Sequence, residues 1–137
     1  MAQVIDASVA VAWCVRTQAT RLSDAALTAV VEHGGHVPSQ FWFEVVHSIL
    51  RSERGGFVPR TIVDESLVRL SELAIVVDAA YDATDMIALT KIARQYAVNI
   101  YDAAYLELAL RLGLPLATRD VSLARAAGEA GVALFTA

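Results

Sequence analysis

The chain has 137 residues, of which 56% are hydrophobic, and a formal net charge of −4 at pH 7. This length is typical of one domain, and no Pro/Ser-rich linker or charge run divides it, so we predict a single domain over residues 1–137. The negative charge argues against nucleic-acid binding through a broad basic face, and the charged residues that interrupt every long apolar stretch exclude a membrane span.

Hydrophobic periodicity predicts short strands that alternate with longer helices. In chain order we predict a strand at 4–5, helices at 8–16 and 21–33, a strand at 36–38, helices at 41–54 and 59–73, a strand at 75–77, helices at 82–96 and 102–112, a strand at 116–117, a helix at 121–130 and a strand at 132–135. Short strands separated by helices predict the α/β class, with a parallel sheet covered on both faces.

Four carboxylates occupy places where such a sheet binds ligands, beyond the carboxyl ends of its strands. Asp6 and Asp120 each follow a predicted strand, Asp102 opens a predicted helix, and Glu44 lies early on another. Helix capping is an alternative for Asp102 and Asp120 taken singly. Glu44 stands among aromatic and aliphatic residues, so we expect it to be largely buried and in need of a compensating charge.

If the four acids converge, their mutual repulsion raises at least one pKa unless cations fill the space. The ligands would all be oxygen, and no Cys or His has zinc-like spacing, which favours Mg²⁺, with Mn²⁺ as a second possibility. Such ions activate water and neutralise the charge that develops on a phosphodiester. Phosphodiester hydrolysis is therefore the predicted reaction.

The residues around these acids resemble the four motifs of VapC-like PIN domains, in order and over nearly the whole chain. The resembling segments are residues 4–9, Pro38 with residues 41–45, residues 101–105, and residues 116–120 with Leu123. The resemblance implies a PIN-like fold and a Mg²⁺-dependent endoribonuclease, the toxin of a toxin–antitoxin pair, that forms a homodimer and is silenced by a cognate antitoxin. It also implies roles for named side chains: Asp6, Glu44, Asp102 and Asp120 as metal-binding catalytic acids, with the hydroxyls of Ser8 and Thr118 near them.

The chain departs from this resemblance at two positions. His47 stands one helical turn after Glu44, where similar sequences often have asparagine, and Ser122 and Leu123 follow Asp120, where some members carry another acid. The number of bound ions, one or two, is left open.

Three other functions were compared with the nuclease. A di-iron bundle requires a second Glu-x-x-His element beside residues 44–47, and the chain has none. A receiver-like or phosphatase-like protein generally has a lysine at a strand end, whereas the only lysine, Lys91, lies within a predicted helix. A non-catalytic PIN-like binding module would not require Glu44 in an apolar segment.

Other features bear on substrate and partners. Arg51, Arg54 and Arg60 surround a Gly-Gly turn and either contact an RNA backbone or are solvated helix ends. The aromatic residues Trp13, Phe41, Trp42 and Phe43 are expected in the core or in a partner groove rather than stacked on bases.

We expect the protein in the cytoplasm. Its amino terminus does not resemble a signal peptide, and its single Cys14, predicted to be a small buried residue, cannot form an internal disulfide. The high apolar content predicts that a partner or a second copy covers part of the surface.

Overall fold

Strands of two or three residues form the centre of the molecule in the computed structural model, which describes residues 1–137. The strands are β1 (Gln3–Ile5), β2 (Gly35–Val37), β3 (Ile75–Val77) and β4 (Leu116–Ala117). The helices are α1 (Ala7–Cys14), α2 (Arg21–His33), α3 (Phe41–Arg54), α4 (Arg60–Ser71), α5 (Ala83–Tyr96), α6 (Ile100–Leu112) and α7 (Val121–Ala130), with a 3₁₀ turn at Arg16–Gln18. None of these helices combines the length and apolar character needed to cross a membrane.

The four strands form one parallel sheet in the order β3-β2-β1-β4. The chain moves from β1 through β2 to β3 in one direction and then returns to place β4 on the other side of β1. Because parallel crossovers are right-handed, the connections in the two directions lie on opposite faces of the sheet. Accordingly α1, α2, α3 and α4 contact one another, and α5, α6 and α7 form a second group.

This topology makes β1 one of the two inner strands and places a reversal of strand order between β1 and β4. Val4 and Ile5 are fully buried, as expected for a short parallel strand covered on both faces. In open α/β sheets the crevice beyond the carboxyl ends of the strands at such a reversal is the usual ligand site. Asp6 and Thr118 are the residues that directly follow β1 and β4.

The predicted α/β class with a parallel sheet is confirmed, and the predicted bounds of α2, α3, β3, β4 and α7 agree with the structure. The helix predicted at 102–112 begins at Ile100, because the Asn99 side chain accepts the Asp102 N–H and caps the helix earlier. The strand predicted at 36–38 is β2, which begins and ends one residue earlier, at Gly35–Val37.

The strand predicted at 132–135 is wrong. This segment forms an isolated parallel bridge between Leu116 and Leu134, with two backbone hydrogen bonds, from the Leu116 N–H to the Ala133 oxygen and from the Phe135 N–H to the Leu116 oxygen. The partner strand β4 has only two residues, and one of them, Leu116, already forms this bridge. β4 is therefore too short to pair with a strand over residues 132–135.

Candidate active site

Asp6 is the most buried of the four acids, with 5% of its surface exposed. It occupies the N-cap position of α1, yet its side chain makes no capping hydrogen bond to that helix. Its Oδ2 instead accepts two hydroxyl hydrogen bonds, from Ser8 Oγ at 2.7 Å and from Thr118 Oγ1 at 2.8 Å. Burial raises the pKa of Asp6, although both hydroxyls act to lower it.

The same two hydroxyls tie Asp6 to the loop between β4 and α7. Ser8 Oγ accepts the Arg119 N–H at 3.1 Å, and Thr118 Oγ1 accepts the Asp120 N–H at 3.0 Å. Each hydroxyl has a single hydrogen, which these contacts direct to Asp6. The amides of the loop therefore set the direction in which both hydroxyls donate.

Glu44 lies in the first turn of α3 and faces the buried Tyr105 of α6. The Tyr105 hydroxyl donates to Glu44 Oε1 at 3.2 Å and accepts the Ala7 N–H at 3.3 Å. Burial first, and the negative charge of Asp6 next, raise the pKa of Glu44 to about 7. One hydroxyl thus links the glutamate of α3 to the start of α1.

Asp102 and Asp120 lie at the amino ends of α6 and α7. Burial, followed by the charges of Asp120 and Asp6, raises the pKa of Asp102 to about 6. Asp120 Oδ1 accepts the N–H groups of Ser122 and Leu123 at 2.8 and 3.1 Å, so Asp120 caps α7. The capping alternative therefore holds for Asp120, whereas Asn99 caps the helix of Asp102.

The four carboxylates share a negative field without a basic partner. Each of the three raised pKa values has a neighbouring acid of this set among its causes. None of the four forms an ion pair with Arg or Lys, whereas Arg111 pairs with both Asp78 and Glu107 at 2.6 and 2.7 Å elsewhere in the molecule. The four-acid group consists of oxygen ligands that no positive side chain neutralises.

A divalent cation fits this group by donor chemistry, since carboxylate and hydroxyl oxygens are the ligands that Mg²⁺ and Mn²⁺ prefer. As the side chains stand, no three His, Cys, Asp or Glu side chains have the spacing to hold one ion. The carboxylates of Asp6, Glu44 and Asp120 accept hydrogen bonds from neighbouring hydroxyls or amides, which are weaker partners than an ion, whereas the Asp102 carboxylate accepts none.

Several expectations can be compared with this geometry. Hydrogen bonds from Ser8 and Thr118 to the acid group are present, and so are raised pKa values with burial and neighbouring acids as their causes. Glu44 is partly buried, and the segment around it is amphipathic rather than apolar on all sides: Phe41 and Val45 are buried, whereas Phe43 has 83% of its surface exposed. No arginine or lysine pairs with Glu44 to compensate its charge.

Two residues that link the segments of the site, Tyr105 and Arg119, had no role predicted from the sequence. Tyr105 lies three positions after Asp102 on α6, so the two side chains lie on the same side of that helix. This spacing between a hydroxyl and a candidate acid is the sequence signal that could have identified Tyr105. Arg119 Nη1 donates to the Ser8 oxygen at 3.2 Å and to Gln18 Oε1 at 3.1 Å. Nothing in the local sequence indicates this second link between the β4–α7 loop and α1, because it depends on the tertiary fold.

Comparisons with known proteins bear on the family and the fold of the chain. The sequence model of the PIN domain family matches residues 4–129. The chain is 32% identical over 123 residues to Ribonuclease VapC3 of Mycobacterium tuberculosis, in both strain CDC 1551 / Oshkosh and strain H37Rv, with 90% of this chain and 85% of the relative covered. Among solved structures, the crystal structure of PAE2754 from Pyrobaculum aerophilum has a similar fold, with a TM-score of 0.69 and 20% identity over 91% of this chain and 84% of the other.

Proposed function

The chain belongs to the PIN domain family, and from that membership we propose that it is a Mg²⁺-dependent endoribonuclease that hydrolyses RNA phosphodiester bonds at the four-acid group. The similarity to Ribonuclease VapC3 supports RNA as the substrate. The observation that carries the proposal is the group of Asp6, Glu44, Asp102 and Asp120: burial and neighbouring acids of the group raise the pKa of Asp6, Glu44 and Asp102, and no basic side chain neutralises them.

In this proposal the four acids hold one or two divalent ions at the crevice between β1 and β4. A bound Mg²⁺, or Mn²⁺ in its place, would supply an activated water and neutralise charge on the phosphodiester. Ser8 and Thr118 orient the Asp6 carboxylate by donating to one of its oxygens, which leaves the other free for a ligand. Tyr105 orients Glu44 in the same way.

The rival phosphoryl-transfer functions find less support. The lysine that receiver-like and phosphatase-like sites place at a strand end is missing, since Lys91 lies in the middle of α5. A non-catalytic binding module would have no use for four unneutralised acids around one crevice, because their repulsion lowers the stability of the fold.

We propose further that the protein is a toxin-antitoxin toxin that acts in the cytoplasm, forms a homodimer and binds a cognate antitoxin. Exposed apolar side chains support the presence of partners, because an apolar patch on a protein surface commonly marks an interaction site. Val31, Ile87, Val76 and Val68 are each more than half exposed. Light scattering that finds a monomer at about 10–100 μM, the range in which a modest interface associates, would contradict the dimer.

Cleavage of RNA by the purified protein tests the proposed activity. We expect hydrolysis with Mg²⁺ or Mn²⁺, none after chelation, and none for Asp6→Asn or Asp102→Asn, which remove ligand charge at almost constant shape. Asp64→Asn on the exposed surface of α4 is the matched control and should cleave like the wild type. Cleavage by chelated protein, or by either site variant at the wild-type rate, would refute a metal-dependent nuclease.

A further inference from the structure

A polar cleft opens beside the four-acid group and is lined by Ser8, which donates a hydrogen bond to that group. Its volume is about 450 Å³, within the size range of small-ligand sites. Nine residues line it: Ser8, Val11, Val15, Thr17, Gln18, Ser48, Arg51, Ser52 and Phe57. Ser8 donates to Asp6 Oδ2, so the cleft begins one hydrogen bond away from the most buried acid of the site.

Phe57 is held at this cleft by the way α3 ends. The Gly56 N–H donates to the Glu53 oxygen and the Phe57 N–H to the Ser52 oxygen, with Gly56 at φ +78°, which is a Schellman motif. In this motif the residue in the Phe57 position usually packs on an apolar side chain one turn earlier. The residue there is Ser52, so Phe57 lacks that partner and remains 71% exposed.

The Phe57 ring lies against the backbone at the end of α3 despite its exposure. A Cβ atom on Gly55 would lie 3.0 Å from two atoms of the Phe57 ring, so the ring lies closely over Gly55. The next residue, Val58, is buried and anchors the chain directly after the ring. Phe57 therefore presents an exposed aromatic face at a place set by the end of the helix.

Arg51 is the only charged residue that lines the cleft. Arg51 lies in the last turn of α3. Its side chain is exposed and makes no ion pair and no side-chain hydrogen bond. The chain has a net charge of −4, and this unpaired guanidinium lies beside a group of acids. It is therefore positioned to bind the negative charge of a ligand that also reaches those acids.

We propose that this cleft binds the nucleotide next to the cleaved phosphodiester, with its base stacked on Phe57 and its phosphate paired with Arg51. The assignment rests on the proposed ribonuclease function and adds a substrate subsite to it. An exposed aromatic ring next to an unpaired arginine is the combination that single-stranded RNA binds, because every base has a flat face and every link a negative charge. Serine, threonine and glutamine side chains supply the remaining polar surface.

Binding is measured by the anisotropy of a fluorescein-labelled single-stranded RNA of mixed sequence, with each substitution made in the inactive Asp6→Asn protein. Stacking of one base contributes about 1–3 kcal/mol, so Phe57→Ala should weaken binding by about 5- to 150-fold, and Phe57→Trp should retain it. Phe43→Ala is the matched control: Phe43 is an equally exposed aromatic residue on α3 that does not line this cleft. It should bind like the parent protein.

The salt dependence of binding tests the role of Arg51 separately. Loss of one phosphate contact to a single strand should lower the slope of log affinity against log salt concentration by about 0.7. Arg51→Ala should show this change, while Arg54→Ala, the same charge removal on the same helix but outside the cleft, should not.

The outcomes separate this subsite from the enzymatic proposal. If the wild-type protein neither binds nor cleaves RNA, the ribonuclease function fails and the subsite fails with it. If the wild type cleaves RNA, only the subsite is refuted by either of two results. One is that Phe57→Ala and Phe43→Ala have the same RNA affinity, and the other is that Arg51→Ala and Arg54→Ala have the same salt dependence of binding. If Phe57→Ala weakens the binding of a protein partner but leaves RNA binding unchanged, the subsite is likewise refuted and the cleft is assigned to that partner.

Discussion

At the scale of single residues, Glu44 and Asp102 make the metal-free protein less stable as the pH rises. Their folded pKa values, about 7 and about 6, lie above their ordinary values of 4.5 and 3.8. The folded state therefore binds more protons than the unfolded state between these limits, and the free energy of unfolding falls as the pH rises through them. We expect a loss of about 1–2 kcal/mol between about pH 5 and about pH 8, after allowing for solvent screening of these half-exposed groups.

Urea unfolding at the two pH values, in the presence of a chelator, measures this loss. Glu44→Gln should remove much of it, because the amide has no charge to repel Asp6 or Asp102. Glu65→Gln on the exposed surface of α4 is the control and should keep the wild-type pH dependence. A stability that rises with pH over this range would show that the acids do not repel one another in the folded protein.

Tyr105 gives a second residue-scale prediction. Its hydroxyl donates to Glu44 and accepts the Ala7 N–H, and the bond to Glu44 acts to lower the pKa of that acid. Tyr105→Phe should cost about 1–2 kcal/mol of stability at neutral pH, since a charged acceptor and a backbone donor both lose their partner. It should also shift the pH-dependent loss of stability to higher pH.

The matched control for this change is Tyr101→Phe. Tyr101 lies on the same helix, is 58% exposed, and its hydroxyl makes no hydrogen bond within the protein. Urea unfolding and RNA cleavage should be unchanged in this variant. Equal effects of the two substitutions on stability and on cleavage would mean that the Tyr105 hydroxyl does not position Glu44.

At the scale of secondary structure, the turn from α2 into β2 depends on a glycine. Gly34 has φ 77° and ψ −178°, a region that is essentially restricted to glycine, and a Cβ there would lie 2.9 Å from the Ala74 backbone oxygen. Gly34→Ala should therefore destabilise the protein by about 2 kcal/mol. Gly128 provides the contrast: it lies inside α7 with nothing within 4 Å of an added Cβ.

Gly128→Ala should stabilise the protein by about 0.5–1 kcal/mol, because alanine loses less backbone freedom in a helix than glycine does. Thermal unfolding of both variants measures the difference, and circular dichroism checks that the helical content is kept. If Gly34→Ala were as stable as the wild type, the backbone at the end of α2 would have to adopt a different conformation from the one described.

The elements that the sequence predicted best are those with a chemical signal at their ends. The bounds of α2 and α3 follow from glycine pairs, and those of β3 from an unbroken Ile-Val-Val run. The prediction failed at 132–135, where the pattern resembles a strand but the partner is only two residues long. Strand formation depends on a neighbour that lies elsewhere in the sequence, so periodicity alone does not determine it.

For the candidate site, too, the sequence predicted some features and not others. The positions of Asp6 and Asp120 after strands, and the hydroxyls of Ser8 and Thr118 two residues before or after them, are visible in the sequence. Contacts between distant segments are not, as the Arg119 link to α1 and the bond between Tyr105 and Glu44 illustrate. Whether Asp6, Glu44, Asp102 and Asp120 bind metal remains a prediction, and it concerns the whole molecule.

At that scale, the four-acid group joins parts of the chain that are far apart: β1, α3, α6 and the β4–α7 loop. A cation that binds there stabilises the folded state alone, because the unfolded chain does not bring these segments together. At an Mg²⁺ concentration about one hundred times its Kd, the gain is about 2.7 kcal/mol. For a domain of this size that corresponds to an increase in Tm of roughly 8–10 °C.

Thermal unfolding with and without Mg²⁺, at constant ionic strength, should show this increase for the wild type and little or none for Asp6→Asn or Asp102→Asn. The increase should be larger at about pH 8 than at about pH 6, because the ion must displace protons from Glu44 and Asp102 at the lower pH. Asp64→Asn should respond to Mg²⁺ like the wild type. An increase in Tm that is the same in all four proteins would mean that the ion binds elsewhere, and the metal site would have to be sought outside the four-acid group.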